Sequence, residues 1–322
     1  MNRRSCSGRV IDRRVGTPLM VWTAGCRSMR TYLRGEQMIE TSYRRILIPT
    51  DGSENTRAAV AYALDLARQT DAKVTAISVN DISNYAAIPG EPDAESPLYQ
   101  ASQAAIGDAI EMGAAKGVRV EGMIVSGIPK RDIVEASKDH DLVVMGTTGR
   151  TGLPHLLLGS VAERVVRKAY CPVIVVRTGV TSSFKCDRIL IATDGSENSA
   201  PAVREGLNLA RAFGAQVTAL SVSDDTGLPA AGRGSAEGRV LASEAVAEVE
   251  NEGRKLGIEV TPSVPTGSPD DAIVDASTEH DLLVMGTHGR SGLAHLRMGS
   301  VAERVIRFAR CPVMVVKGHH DR

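Results

Sequence analysis

Aromatic residues are scarce in this chain, and neither sign of charge prevails. Phe, Trp and Tyr make up 3% of its 322 residues, and the 38 basic residues equal the 38 acidic ones. A surface that binds single-stranded nucleic acid by stacking needs several exposed rings, so this composition argues against such a platform. The zero net charge gives no electrostatic reason to expect nucleic acid as an obligatory partner. We therefore expect no nucleic-acid partner.

Paired cysteines and long apolar runs are also missing. The five cysteines include no C-x-x-C pair and no cluster with histidine at zinc-ligand spacing, so we expect no metal site formed by the protein alone. Unpaired cysteines fit a reducing, cytoplasmic setting. No apolar run approaches the roughly 18–20 residues that a membrane-spanning helix needs, and we expect no membrane span. Cys171 and Cys311 each precede a Pro-Val strand, where we expect small apolar packing residues.

The chain does contain a long internal repeat. Residues 132–176 align with residues 272–316 at an offset of 140, with 31 identities in 45 positions. Such similarity indicates an internal duplication, and the length exceeds what one core usually holds. We divide the chain into a basic, disordered extension (1–42), a first domain (43–177), a linker (178–186), a second domain (187–317) and a tail (318–322).

Short apolar runs alternate with helical patterns in each repeat. The first run, Arg45–Pro49, ends at the turn Thr50-Asp51-Gly52-Ser53, and Ser53 has the residue type of a helix N-cap. Strands that alternate with helices imply parallel sheets with right-handed crossovers. We predict an α/β fold with two tandem open parallel five-stranded sheets and helices on both faces, a Rossmann-like architecture. Ligands of such sheets bind beyond the carboxyl ends of the strands, where strand order reverses.

A glycine pattern, G-x2-G-x9-G-S, occurs once in each repeat at that edge. Glycine lets backbone N–H groups approach oxygen atoms closely, and a helix N-terminus attracts anions. The pattern therefore predicts a phosphate site in each domain. The serine adds a hydroxyl to this site, and the arginine that follows the second glycine adds a forked donor. The first site comprises Gly146, Gly149, Arg150, Gly159 and Ser160, and the second comprises Gly286, Gly289, Arg290, Gly299 and Ser300.

Asp51 and Asp194 end the first strand of each repeat, beside the predicted phosphate site. A carboxylate there could accept hydrogen bonds from a base or a ribose, or hold a divalent cation. The combination predicts a nucleotide pocket. The alternative is that the glycines serve packing alone, as in many α/β folds, although the repetition of the whole pattern favours binding.

The same motifs resemble a known family. D-G-S-E, V-M-G-T-x-G-R-x-G-L, G-S-V-A-E-R-V-x-R and C-P-V-x-V-V occur in both repeats and are similar to those of the universal stress protein (UspA-type) family in its tandem form. The resemblance covers essentially residues 43–317. The glycine spacing is similar to that of the ATP-binding branch, which implies an adenine-nucleotide alpha hydrolase-like fold and ATP, with Mg²⁺, as the ligand.

The resemblance also implies roles for individual residues. Asp51 and the backbone at Val79 would hold adenine, and Met145 with Gly146 would contact ribose. The implied phosphate contacts in the first site are Gly149, Gly159, Ser160 and Val161, with Pro49 and Thr50 at the end of the first strand. The second site would use Ala192, Thr193, Asp194, Val222, Met285, Gly286, Gly289, Gly299, Ser300 and Val301. The sites differ at two positions: Thr148 stands where the second copy has His288, and Ala192 stands where the first has Pro49.

Other nucleotide motifs are absent. The sequence has no G-x-x-x-x-G-K-[ST] loop, no G-x-G-x-x-G after a first strand and no H-E-x-x-H, and we find no positioned nucleophile–base pair. We therefore expect ATP-dependent association in a stress response, with at most weak ATP hydrolysis. A slow ATPase or nucleotidyl-transfer enzyme is the alternative, and a nucleotide-free scaffold is the second alternative.

The last strand of each repeat, residues 172–176 and 312–316, is apolar and should lie at a sheet edge. An exposed apolar edge needs a partner. We expect these two strands to pair within one chain, so that the two domains form an intramolecular pseudo-dimer. Homodimerisation of the whole chain and binding of a protein partner remain open at this stage.

Overall fold

The computed structural model describes residues 8–12, 18–21, 43–82, 96–149, 158–181, 183–223, 235–289 and 298–318. The elements up to the linker are β1 (Gly8–Asp12), β2 (Pro18–Val21), β3 (Arg45–Pro49), α1 (Glu54–Thr70), β4 (Lys73–Asp81), α2 (Pro97–Ala115), β5 (Val120–Gly127), α3 (Pro129–Ala136), β6 (Leu142–Gly146), α4 (Ser160–Lys168) and β7 (Val173–Val176). Those after it are β8 (Arg188–Ala192), α5 (Ala200–Phe213), β9 (Gln216–Leu220), α6 (Ser235–Lys255), β10 (Val260–Ser263), α7 (Pro269–Ala276), β11 (Leu282–Gly286), α8 (Ser300–Phe308) and β12 (Val313–Val316). A short 3-10 helix follows both α3 and α7, at Ser137–Asp139 and Ser277–Glu279.

The predicted α/β fold is confirmed, and its two parallel sheets join into one. The strand order is β10-β9-β8-β11-β12-β7-β6-β3-β4-β5-β1-β2. Each domain contributes five strands, and all pairs within a five-strand set are parallel. The chain starts each set in the middle, moves outward over two strands, and then returns to the other side. Strand order therefore reverses between β3 and β6 in the first domain and between β8 and β11 in the second.

The two sets meet through their last strands, as predicted. β7 and β12 run antiparallel, with Val175 opposite Val313 and Val173 opposite Val315. All the side chains of these two strands are buried, so the strands that would be edges in isolated domains lie at the centre of the sheet. The linker reinforces the junction, because the Phe184 ring packs 5.3 Å from the ring of Tyr62 and 5.1 Å from that of Phe213.

Helices cover both faces of the sheet because the strand residues are apolar on both sides. One buried cluster joins α1, α2, α5 and α6 to the sheet and runs through both domains. The other joins α3, α4, α7 and α8 to the opposite face. Successive strand residues alternate between the clusters: Ile46 and Ile48 face the first, and Leu47 faces the second. The strands are thereby fixed firmly enough to position the loops at their ends.

Two details add to the predictions from sequence. Ser53 occupies the N-cap position of α1, but its side chain makes no capping hydrogen bond; it donates to Asp51 instead. Within the basic extension, for which we predict disorder, the structure describes β1 and β2. β1 pairs parallel with β5, and β2 pairs antiparallel with β1.

Candidate functional site

The reversal point of each sheet brings the ends of three strands to one edge. β3 pairs with β4 on one side and with β6 on the other, and all three run parallel. Their carboxyl ends therefore open onto the same crevice, the usual ligand position in such sheets. Thr50 and Asp51 leave β3 there, and Gly146 ends β6. Thr50 is anchored by its N–H, which donates to the Ile77 carbonyl at 2.9 Å.

The carboxylate of Asp51 is held in place by the turn that follows it. Its Oδ1 accepts from the Ser53 N–H at 3.0 Å, the Ser53 hydroxyl at 2.6 Å and the Thr56 hydroxyl at 3.1 Å. Hydrogen bonds to a charged acceptor are stronger than neutral ones. Asp51 is half-buried at the mouth of the crevice, so this bonding presents an oriented carboxylate to the site.

Gly149 lies directly against that carboxylate. A Cβ placed on Gly149 would be 2.4 Å from Asp51 Oδ2, and one on Gly146 would be 2.7 Å from the Asn55 carbonyl oxygen. Neither distance leaves room for a side chain. Both glycines therefore have a packing role, which is the alternative raised from the sequence. That packing also brings the turn after β6 into contact with the end of β3.

The amino end of α4 completes the first site. Gly159 is its N-cap and has no side chain to cap it, and the Gly159 N–H donates to the Thr147 carbonyl at 2.8 Å. The first N–H groups of a helix have no partner within it, and together with the helix dipole they attract anions. Ser160 is exposed at the first helical position, and Val161 is half-buried behind it. This end of α4 therefore has the donors and the electrostatic character that suit an anion.

The remaining predicted residues of the first site lie around this centre. Pro49, Thr50 and Met145 are buried, while Val79 is half-buried two residues before the end of β4. Val79 shares the strand-end edge with Asp51 but lies one strand further out. Arg150, like Arg290 in the second site, is outside the described residues.

The second site repeats the arrangement. Asp194 Oδ1 accepts from the Ser196 N–H at 3.0 Å and the Ser196 hydroxyl at 2.7 Å. A Cβ on Gly289 would lie 2.6 Å from Asp194 Oδ2, and the Gly299 N–H donates to the Thr287 carbonyl at 3.1 Å. The other predicted members hold the equivalent places at the ends of β8, β9 and β11 and in the first turn of α8: Ala192, Thr193, Val222, Met285, Gly286, Ser300 and Val301.

One residue of the site escaped prediction in both copies. Asn55 follows the D-G-S-E turn, and its Nδ2 donates to Thr148 Oγ1 at 2.9 Å. Asn198 has the equivalent place in the second domain. The sequence carried a signal, because the shared motif extends to D-G-S-E-N in both repeats. Its partners are distant in sequence, so the contact emerges only in the folded chain.

His140 and the two cysteines that we predicted to be packing residues lie away from this edge. His140 precedes β6, and its Nδ1 lies 2.8 Å from the Ala136 carbonyl oxygen; burial lowers its pKa. Burial raises the pKa of the Cys171 and Cys311 thiols to about 12. Neutral thiols of this kind are weak nucleophiles, which agrees with a packing role.

Neither a metal centre nor a membrane span is found in the described part of the chain. Among those residues, no group of three or more His, Cys, Asp or Glu side chains is arranged to hold a metal ion. None of the described helices has both the length and the apolar character that crossing a membrane requires.

Comparison with protein families identifies the repeated domain. The model of the universal stress protein family matches the chain twice, over residues 42–177 and 185–317. The chain belongs to the universal stress protein family. The two matches cover most of the chain, so this universal stress protein has the tandem form that the repeat predicted.

Some relatives of this universal stress protein match most of the chain, and others match about half of it. A universal stress protein of Mycolicibacterium smegmatis is 30% identical over 286 residues, which is 84% of this chain and 96% of the relative. One of Methanocaldococcus jannaschii is 43% identical over 143 residues, 43% of this chain and 84% of the relative. The crystal structure of a universal stress protein from Archaeoglobus fulgidus superposes with a TM-score of 0.65 at 26% identity, covering 86% of this chain and 99% of that one.

Proposed function

We propose that each domain of this universal stress protein binds ATP, with Mg²⁺ carried by the triphosphate, at the edge between its reversal strands. The proposal rests on one observation: an oriented carboxylate, a glycine turn and an uncapped helix N-terminus lie together at that edge in both domains. The residues fit a nucleotide: the helix N-terminus suits phosphate, and the carboxylate suits the hydroxyl or amine donors of a nucleoside.

In this proposal the protein's groups bind and orient the nucleotide. The first N–H groups of α4 and α8 and the hydroxyls of Ser160 and Ser300 hold phosphate, with Arg150 and Arg290 as further donors. Asp51 and Asp194 face the nucleoside, as do the backbones at Val79 and Val222. Mg²⁺, when bound, would screen the phosphate charge. The strand-end residues Pro49, Thr50, Ala192 and Thr193 form the floor.

We propose that the bound nucleotide controls association in a stress response and is turned over at most weakly. The sequence has neither a G-x-x-x-x-G-K-[ST] loop nor an H-E-x-x-H motif, and positioned acid–base groups typically contribute about 10²–10⁴-fold to an enzyme's rate. A cytoplasmic location fits the free cysteines at 171, 186 and 311. A homodimer and a protein partner are compatible extensions of this function.

The sharpest test introduces a negative charge at the phosphate position without harming the helix. Ser160→Asp places a carboxylate in the first turn of α4, where acidic residues favour the helix by about 0.3–1 kcal/mol. The same carboxylate repels phosphate, and like charges about 4 Å apart cost several kcal/mol near a protein surface, so the first site should lose at least tenfold in ATP affinity. Ser300→Asp should do the same in the second site.

Calorimetric titration with Mg²⁺ and ATP measures the outcome. We expect two sites in the wild type, one in each single variant and none in the double variant. Ser183→Asp, on an exposed linker residue, adds the same charge elsewhere and should retain both sites. Retention of ATP affinity by the double variant would refute the phosphate assignment. A hydrolysis time course on the same samples distinguishes the enzyme alternative, for which a turnover near the ~10 s⁻¹ median of enzymes would be the sign.

A further inference from the structure

In the first domain, one side chain connects the phosphate turn to the chain that leaves β7. Asn55 Nδ2 donates to Thr148 Oγ1 at 2.9 Å, and Thr178 Oγ1 donates to Asn55 Oδ1 at 2.8 Å. These bonds span 93 and 123 residues of sequence. Both ends of one amide group are therefore engaged, and its orientation is fixed. We call this pair of bonds the Asn55 clamp.

The backbone of Asn55 touches the same turn. A Cβ on Gly146 would lie 2.7 Å from the Asn55 carbonyl oxygen, so the first residue of the turn packs against the start of α1. Asn55 thus contacts the turn at Gly146 through its carbonyl and at Thr148 through its amide. Gly149, the residue that meets the Asp51 carboxylate, comes directly after Thr148.

The second domain keeps the asparagine but has neither threonine. The Asn198 carbonyl lies against Gly286, where a Cβ would be 3.2 Å from the oxygen. His288 takes the place of Thr148 and lies 3.1 Å from Thr287 Oγ1 through its Nδ1. Gly318 takes the place of Thr178, and a Cβ there would be 3.0 Å from Asn198 Oδ1. The position therefore faces the amide, but the hydroxyl is missing.

We propose that Asn55 is a positioning residue for nucleotide binding, and that the clamp makes the first site bind ATP more tightly than the second. The inference rests on the proposed function. A turn held in its binding geometry loses less conformational freedom when the ligand arrives, and this raises affinity. At the second turn, His288 and Gly318 replace the two threonines, so the Asn198 amide lacks the two hydroxyls that engage Asn55. One chain would then respond over two ranges of ATP concentration.

Two comparisons test the clamp without nucleotide: one between the two turns of the wild type, and one between the wild type and Asn55→Ala. Order parameters of backbone amides in the ligand-free protein report motion on the picosecond to nanosecond scale. They should be higher at residues 147–149 than at residues 287–289. Asn55→Ala should lower them at 147–149 and leave 287–289 unchanged. Equal order in the two wild-type turns would overturn the clamp as a positioning device.

The affinity arm isolates each site with the aspartate variants. In the Ser300→Asp background, Asn55→Ala should weaken ATP binding at the first site by about fivefold, which is the size of one neutral hydrogen bond. Asn251→Ala, at an exposed residue of α6, is the matched control in the same background and should leave the first site unchanged. Thr178→Val removes one bond at an exposed position, weakens binding in the same direction, and serves if Asn55→Ala does not fold.

Building the clamp into the second domain tests for a gain in ATP affinity, which a variant that fails to fold cannot produce. His288→Thr together with Gly318→Thr, in the Ser160→Asp background, should tighten the second site by about fivefold. The Asn198 amide has to move by a few tenths of an ångström to admit the new Cβ. Equal wild-type affinities at the two sites, or an unchanged first site in Asn55→Ala, would overturn the inference. Absence of ATP binding at both wild-type sites would instead overturn the proposed function, and the order parameters would still decide on the clamp.

Discussion

Single residues at the site are fixed by contacts with other protein atoms. Gly149 and Gly289 leave no room for a Cβ because the Asp51 and Asp194 carboxylates lie against them. The glycines thus have a structural reason in addition to any ligand. A binding assay on a glycine variant alone would mix the two effects, which is why the serines are the better probes of phosphate binding.

At this scale we predict that Gly149→Ala destabilises the first domain. The added Cβ would be 2.4 Å from Asp51 Oδ2, and the carboxylate cannot turn away without straining its hydrogen bonds from Ser53 and Thr56. Overpacking of this kind typically costs about 1–3 kcal/mol. Gly107→Ala is the control, because no atom lies within 4 Å of its Cβ position in α2, and alanine in a helix interior is favoured over glycine by about 0.5–1 kcal/mol. Urea unfolding measures both. A Gly149→Ala protein as stable as the wild type would contradict the contact.

Among the elements, α1 and α5 show how one residue moves a helix start. α1 begins at Glu54, but α5 begins at Ala200, three residues after the equivalent Glu197. Pro201 stands in the first turn of α5. Proline has no N–H, so it cannot donate to the Glu197 carbonyl, a bond that a start at Glu197 would require.

We predict that Pro201→Ala lets α5 begin one turn earlier. Residue 201 then regains the donor that Ala58 has in α1, and Glu197 can become helical as Glu54 is. NMR chemical shifts of the Cα atoms at residues 197–199 should move toward helical values. The equivalent residues 54–56 provide the reference within the same spectrum. Unchanged shifts would mean that the D-G-S-E turn itself, and not the proline, sets the start.

For the whole molecule, the antiparallel pair of β7 and β12 makes one sheet from two domains. The described junction also includes Tyr43, which is buried and donates its hydroxyl to Glu205 across the domains; burial and this carboxylate raise the pKa of Tyr43. The edge strands that each domain would expose alone are thereby covered.

We predict that residues 38–178, expressed alone, self-associate through β7. Removing the second domain exposes four buried apolar strand residues and an unpaired row of backbone groups, which favours pairing with another copy. Light scattering gives the mass. A fragment of residues 187–317, mixed with it, should form a one-to-one complex that uses the β7–β12 pairing of the intact chain. A soluble monomer with rapid hydrogen exchange in β7 would exclude this mode of association.

The sequence by itself determined the duplication, the α/β class, the placement of the glycine turns and Asp51 at the strand ends, and the pairing of the last strands. The first three depend on periodicity and spacing along the chain, which are local properties, whereas the pairing followed from the need to cover two apolar edge strands. Whether the site binds ATP stays a prediction, and Arg150 and Arg290 lie outside the described residues.

Only the tertiary structure decided which atoms meet across the chain. It placed Gly149 against the Asp51 carboxylate, and it closed the Asn55 clamp in the first domain. It also joined β1 to the edge of β5. Such partners depend on how distant segments approach in the folded state, and a difference as small as Thr178 against Gly318 has no meaning until the atom it faces is known.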